Sequence, residues 1–260
     1  MYAYGHKVYH TAMGNPAYSS AHATPTSNLL LAALPGEFLD ELRPHLEHAH
    51  LPLGMAVYES GGRQSYVYFP TDCIVSLLYV LADGSSAEIA VVGREGLVGI
   101  SLFMGGETTP SRAVVQSAGF GYRIRAAMLK KYFAQSHELH HLLLRYTQAL
   151  ITQMAQTAVC NRHHTVDKQL CRWLLLSLDR LASNDVAMTQ ELIANMLGVR
   201  REGVTEAAGK LQSAGLINYS RGHISVLDRK GLEARVCECY AVVKAEYDRL
   251  LPAAAARSAA

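Results

Sequence analysis

Apolar positions recur at helical spacing between Asn28 and His48, at Leu29, Leu30, Leu31, Leu34, Phe38, Leu39, Leu42 and Leu46. Pro35 and Pro44 interrupt the period, so the pattern predicts two short helices. Between Leu53 and Arg125 the texture changes to short β-rich runs at 55–59, 65–69, 73–81, 87–92, 112–117 and 121–124. Turn signals such as Ser60-Gly61-Gly62 and Ala82-Asp83-Gly84 separate them, and this spacing predicts an all-β sandwich or barrel.

The helical period returns from Ala127 to Cys160. One heptad-like stripe runs through Leu139, Leu143, Tyr146 and Leu150, with Gln153, Thr157 and Cys160 in register; a neighbouring apolar stripe carries Ile151, Met154 and Ala158. Two apolar faces suit a long helix that packs on its own domain and on a partner subunit, the alternative being one broad core-facing helix. Leu139, Leu143, Tyr146, Leu150 and Met154 are the expected dimer contacts. Residues 1–28 show no apolar period and read as a disordered tail, as does the Ala-rich stretch 252–260.

After residue 160 comes a short polar stretch, then a helix over 166–181 and a Ser183-Asn184-Asp185 break. Two short helices, a two-stranded wing over 217–227 and a last helix over 231–250 complete the reading. Thr189 is placed to cap the first short helix, Ala194 lets two helices cross closely, Gly198 can take the positive φ of a tight turn, and Val204 buries the second helix on the first. Gly215 ends the second helix before a strand through Ile217-Asn218-Tyr219, Ser220-Arg221-Gly222-His223 turns, and 224–227 returns. This is a winged helix-turn-helix rather than a plain corner of two helices.

Such a motif inserts its second helix into the major groove, where N-terminal side chains reach base edges. Arg201, Glu202, Thr205 and Glu206 are the candidate base contacts. Arginine suits guanine O6/N7 and glutamate accepts from cytosine N4, so Arg201-Glu202 fits a G·C-containing step. Arg200, Lys210, Arg221 and His223 are the candidate phosphate contacts. Glu206 also fits a surface pair with Arg200 or Arg201.

Composition narrows the partners. The 260 residues are 50% hydrophobic and 18% charged, enough for two folded domains. A net charge of +2 is too small for a general polyanion binder, so contact with nucleic acid has to come from local clustering. Five cysteines at irregular spacing, without a secretory signal or an apolar run of membrane-spanning length, suggest reduced thiols and a cytoplasmic protein. An iron–sulfur cluster would need about four cysteines gathered in space. His137, His140 and His141 read as a solvated helix face, the pair Cys237-x-Cys239 as one core thiol, and no metal site is expected. No P-loop, nucleophile elbow or His-Glu-x-x-His is present, so no enzyme activity is expected.

The order of β-roll, long helix and winged helix resembles the Crp/Fnr family of bacterial transcription regulators over roughly residues 35–230. The strongest match is MTQELIANMLGVRREGVTEAAGKLQSAGLI, through its Ala, Gly, Arg-Glu, Val and Leu-Ile positions. In the sensor, Gly61, Tyr66-Val67-Tyr68, the stretch 93–99 and Leu102-Phe103 carry it. The resemblance implies an α+β fold: an antiparallel, jelly-roll-like β-roll sensor (29–136), a dimerisation helix (137–160), a hinge (161–165) and a winged helix-turn-helix DNA-binding domain (166–251). It also implies a homodimer on a pseudo-palindromic duplex, RNA polymerase as a partner, no membrane association, and Arg201 and Glu202 as base readers. Glu206 stands where the family often has arginine.

A cyclic-phosphate pocket needs backbone donors, a cation and a carboxylate for the ribose. Here Ile100 follows Gly99 in place of the family's glutamate, and Thr109-Pro110 replaces its Arg-Ser pair. Gly99, Ile100, Ser111 and Arg112 are the remaining pocket candidates. The usual cyclic AMP site therefore carries over poorly and the cofactor is left open. The expected function is a dimeric, sequence-specific DNA-binding regulator modulated by a small-molecule or redox signal at the β-roll. The alternative is a ligand-binding or protein-interaction module of the same fold that does not bind DNA specifically.

Overall fold

The computed structural model describes residues 23–181 and 183–251. Residues 1–22 and 252–260 of the expected tails lie outside them, but 23–28 are packed rather than loose. Pro25–Ser27 forms a 3-10 turn, and Tyr122 donates its hydroxyl to Ala23 O at 2.8 Å. Asn28 is fully buried: its Oδ1 accepts from Leu30 N and Leu31 N, while its Nδ2 donates to Pro70 O and Gly96 O. It is the N-cap of α1 (Leu29–Ala32) and ties that helix to the sensor.

Helix α2 (Gly36–Leu42) gives way to a 3-10 turn at Arg43–His45 and then to β1 (Glu47–Leu51), where the period had suggested continuing helix. Pro44 stops the helix, and the alternating burial of β1 lets His48 stack on Phe120 of the strand paired with it, Gly119–Arg125. The sensor continues through β2 (Ala56–Tyr58), β3 (Tyr66–Pro70), β4 (Ile74–Val80), β5 (Ser86–Val92), β6 (Arg112–Ser117) and β7 (Gly119–Arg125). Two antiparallel sheets result, ordered β1-β7-β3 and β2-β6-β4-β5. Val67, Phe69, Ile74, Val75, Val92, Val115 and Ile124 belong to their common core.

Helix α3 (Ala126–Gln135) is followed by α4 (His137–His163), whose N-cap Ser136 accepts from Leu139 N. The structure corrects the expected dimer seam. Leu139, Leu143, Tyr146 and Leu150 are each no more than 1% exposed within this one chain, and Tyr146 donates its hydroxyl to Leu97 O at 2.8 Å. Gly96 makes the approach possible, since a Cβ there would lie 2.6 Å from the Tyr146 ring. Met154 packs, half-buried, on the same core. The solvent face of α4 is instead Leu144, Ile151, Ala155, Ala158 and Val159, on the side of the second stripe. The helix also runs on to His163, so three of the five expected hinge residues are helical and only His164-Thr165 breaks it.

The C-terminal part comprises α5 (Val166–Leu178), β8 (Asp185–Ala187), α6 (Gln190–Leu197), α7 (Arg201–Ser213), β9 (Ile217–Ser220), β10 (His223–Val226), α8 (Arg229–Arg235) and α9 (Glu238–Leu250). The wing gains a third strand, because Asp185–Ala187 pairs with β10 in the order β8-β10-β9. The single last helix expected from 231 is two helices, since Val236 and Cys237 are extended. Helix α9 packs along α4, and α6 packs on sensor strand β5. No helix of the described residues is long and apolar enough to cross a membrane.

Candidate nucleic-acid interface

The helix-turn-helix is built as its sequence requires. Thr189 caps α6 by accepting from Leu192 N, and Gly198 ends it with φ of 66°, its N–H donating to Ala194 O. Ala194 is 4% exposed and Val204 fully buried, so the two helices close on a small apolar core with Ile193, Leu197, Ala207 and Leu211. Helix α7 therefore presents a polar N-terminal face to solvent.

On that face Arg200, Arg201 and Glu202 are exposed, and none has a side-chain hydrogen bond or ion pair with another described residue. Thr205 is exposed but already engaged: its hydroxyl lies 2.7 Å from Gln190 Oε1 and 3.1 Å from Arg201 O. Glu206 accepts from Lys210 at 2.7 Å, one turn further on. The partner is thus Lys210 rather than Arg200 or Arg201, because the i,i+4 spacing brings the two side chains together on the helix surface. The same pair links an expected base reader to an expected phosphate contact.

The wing tip is Arg221-Gly222, joining Ser220 to His223. Gly222 has φ of 81° and Arg221, with φ of 49°, is the positive-φ residue of the described chain that is not glycine. Both central residues of this two-residue turn are left-handed, a conformation that normally selects Asn-Gly or Gly-Gly. Arg221 and His223 are exposed, and Tyr219 donates its hydroxyl to Met188 O, anchoring the wing to the start of α6. Burial raises the Tyr219 phenol above its ordinary value, and the Arg201 charge opposes that shift. Between α7 and the wing lies an open concavity of about 460 Å³ lined by Thr189, Gln190, Glu191, Arg201, Tyr219, Arg221 and Gly222.

A scan against family descriptions matches residues 168–235 to the Crp-like helix-turn-helix domain. The chain carries a Crp-like helix-turn-helix. Solved structures extend the likeness to both domains. FixK2 from Bradyrhizobium japonicum is 17% identical with a TM-score of 0.62, covering 74% of this chain and 98% of its own. A CRP-family transcriptional regulator from Thermus thermophilus is 19% identical with a TM-score of 0.60, covering 72% and 95%. The c-di-GMP-responsive global regulator CLP of Xanthomonas campestris is 16% identical with a TM-score of 0.58, covering 75% and 100%. At such identities the likeness establishes the fold. A search of curated proteins finds no match.

None of the expected effector residues lines the cavity beside them. Gly99, with φ of 118°, starts a 3-10 turn that includes the half-buried Ile100. Ser111 is buried against the hydroxyls of Thr109 and Tyr58, and Arg112 Nε lies 2.8 Å from Glu59 Oε2. The nearby cavity, about 180 Å³, is lined instead by Val57, Tyr58, Glu59, Arg63, Gln64, Ser65, Tyr66 and Tyr68. The histidines of α4 pack as rings: His140 stacks on Phe133 at 4.3 Å, and His137 meets His141 edge-on at 4.7 Å. Cys237 and Cys239 are both buried, not one of them; Cys237 is the extended N-cap of α9, so the pair is not bound by helical spacing.

Proposed function

We propose that this protein acts as a homodimeric, sequence-specific reader of duplex DNA, with Arg201 and Glu202 as base readers and Arg200, Arg221 and His223 as phosphate contacts. The observation that carries this reading is the concavity between α7 and the wing, with Arg201 on one wall and Arg221 on the other, neither engaged by another described side chain. Cations without internal partners, set on both sides of a groove-sized opening, match a polyanion better than a protein core. Thr205 and Glu206 are demoted as base readers by their internal partners, and Lys210 contributes less to phosphate binding while it holds Glu206.

The exposed face of α4, from Leu144 through Ile151 and Ala155 to Val159, is our candidate for the dimer seam in place of the buried stripe. Two copies joined there would offer two reading heads to half-sites about one helical turn apart on a pseudo-palindromic duplex. Promoter-bound regulators of this fold act on transcription through RNA polymerase, the partner we infer. For the sensor we infer no cyclic-nucleotide site: Arg112 is held by Glu59, and the cavity of about 180 Å³ is below the ~300 Å³ at which ligand pockets begin.

Titration of the full chain into a labelled duplex from its own upstream region, read by fluorescence anisotropy at several salt concentrations, tests the DNA reading. Binding that weakens steeply with salt and survives excess random duplex is expected. Equal affinity for both duplexes would leave the alternative, a module of this fold without specific DNA binding.

A further inference from the structure

Where the long helix ends, residues from two distant parts of the chain converge. Cys160 lies in the last turn of α4 and His164 is its C-cap, four residues on; Cys237 caps α9 and Cys239 lies in its first turn. Cys160 Sγ is 3.6 Å from Cys237 Sγ, and Cys239 Sγ is 3.6 Å from His164 Nδ1. One ligand atom from each of the four residues lies within 4.8 Å of every other.

We propose that Cys160, His164, Cys237 and Cys239 form a tetrahedral binding site for a thiophilic divalent cation, zinc in the first instance. Metal–sulfur bonds of about 2.3 Å set in a tetrahedron separate neighbouring ligand atoms by roughly 3.8 Å, which the 3.6 Å pairs approach without rebuilding the backbone. An iron–sulfur cluster places several iron and sulfide atoms between its ligands and requires a wider cage. Three thiolates with one imidazole are among the donor sets used for closed structural zinc sites.

The surroundings support a built site rather than a chance meeting of thiols. His164 turns Nδ1 toward the sulfurs while Nε2 lies 3.4 Å from Glu238 Oε1, the carboxylate–histidine arrangement that fixes the ring and the tautomer of a metal-bound imidazole. Gln169 Nε2 donates to His164 O at 2.8 Å and reaches Cys160 O at 3.5 Å, holding the backbone of the first two ligands. Three thiolates around a divalent ion leave one net negative charge at the site. Packing of reduced thiols as small apolar groups accounts for Cys73 and Cys171. It does not account for an imidazole wedged between a thiol and a carboxylate.

Filling the site joins the end of α4 to the α8–α9 junction by coordinate bonds. Zn2+ enters by displacing the thiol protons, so occupancy falls as the solution is acidified. Because α4 leads into α5 at Thr165, the bound ion would fix the angle at which the reading head leaves the long helix.

Elemental analysis of the full chain, purified under reducing conditions without chelator, should give one zinc per chain. Cys239→Ser and His164→Gln should each lower retention in chelator competition by well over tenfold, Glu238→Gln by about tenfold, and Cys171→Ser not at all. Should the ligand variants fail to fold, Co2+ added to the wild-type chain decides: one equivalent should produce thiolate-to-cobalt charge-transfer absorption and the intense visible bands of a tetrahedral ion. Absence of those bands, retention of zinc by folded Cys239→Ser, or a Cys160–Cys237 disulfide in the anaerobically purified protein would overturn the proposal. None of these readouts involves DNA, so their failure and that of the DNA reading are separable.

Discussion

Arg180 Nε donates to Glu95 Oε1 across 2.7 Å, with the guanidinium 4% and the carboxylate 16% exposed. The same guanidinium donates to Gln153 Oε1 on α4 at 2.9 Å and to Leu176 O at 2.7 Å, and it lies over the Tyr247 ring of α9. One side chain thereby joins the sensor, the long helix and the C-terminal part. Removing one partner of a buried pair leaves the other charge uncompensated, which costs about 3–5 kcal/mol. Glu95→Ala should therefore lower the urea midpoint of the full chain strongly, whereas truncating the exposed Glu37 should leave it nearly unchanged.

Stability should also depend on pH through Glu88. This β5 carboxyl is buried, which pushes it up from 4.5 to about 7 against the opposing pull of Ser76, Arg172 and Arg180. A folded-state value above the unfolded one means that the native protein holds the proton longer. The associated stability is complete below about pH 4.5, declines as pH rises and is lost above about pH 7, a swing on the order of 3 kcal/mol. Denaturant titrations at several pH values should show this slope in the wild type and a flatter one in Glu88→Gln.

Helix-face substitutions separate the two readings of α4. Leu144→Glu with Ile151→Glu, both on the exposed face, should give a folded monomer by sedimentation and weaken DNA binding. Leu143→Glu, at a fully buried position, should instead unfold the sensor. A dimer that persists in the double variant would place the seam elsewhere.

Base reading and phosphate contact should respond differently. Arg201→Ala is expected to cost about 1–3 kcal/mol on the specific duplex and to relax base preference. Arg221→Gly should weaken binding to all sequences alike and reduce the salt slope by about one, while raising folding stability by about 1 kcal/mol through relief of the positive φ at that position. A stabilised wing with weaker DNA binding is the distinguishing pair of results.

The parts legible in the sequence are those set by local chemistry. Thr189, Ala194, Gly198 and Val204 each answer a demand made within a dozen residues, and the structure places all four as expected. The runs that became β2 to β7 were legible for the same reason, whereas β1 lay hidden under an apparent helical period. Strand β8 was not: three residues carry no period, and Asp185–Ala187 becomes a strand only because β10 offers it an edge. The stripe through Leu139, Leu143, Tyr146 and Leu150 announced an apolar face but not what covers it, and it is Leu97, in a turn of the sensor, that meets Tyr146. Cys160 and Cys237 stand 77 residues apart, and the break at Val236 that turns Cys237 toward Cys160 left no sign in the helical pattern.

The hydrogen bond of Thr205 to Gln190 and the pairing of Glu206 with Lys210 bear on how such a protein would find its targets in a genome. On the proposed reading, with those two positions occupied, each reading head would spell a short word through Arg201 and Glu202, each mismatch costing only about 1–3 kcal/mol. So short a word recurs by chance throughout a chromosome. Selectivity then falls to the distance between two such words and to how readily the bases between them bend, neither of which is touched by a side chain.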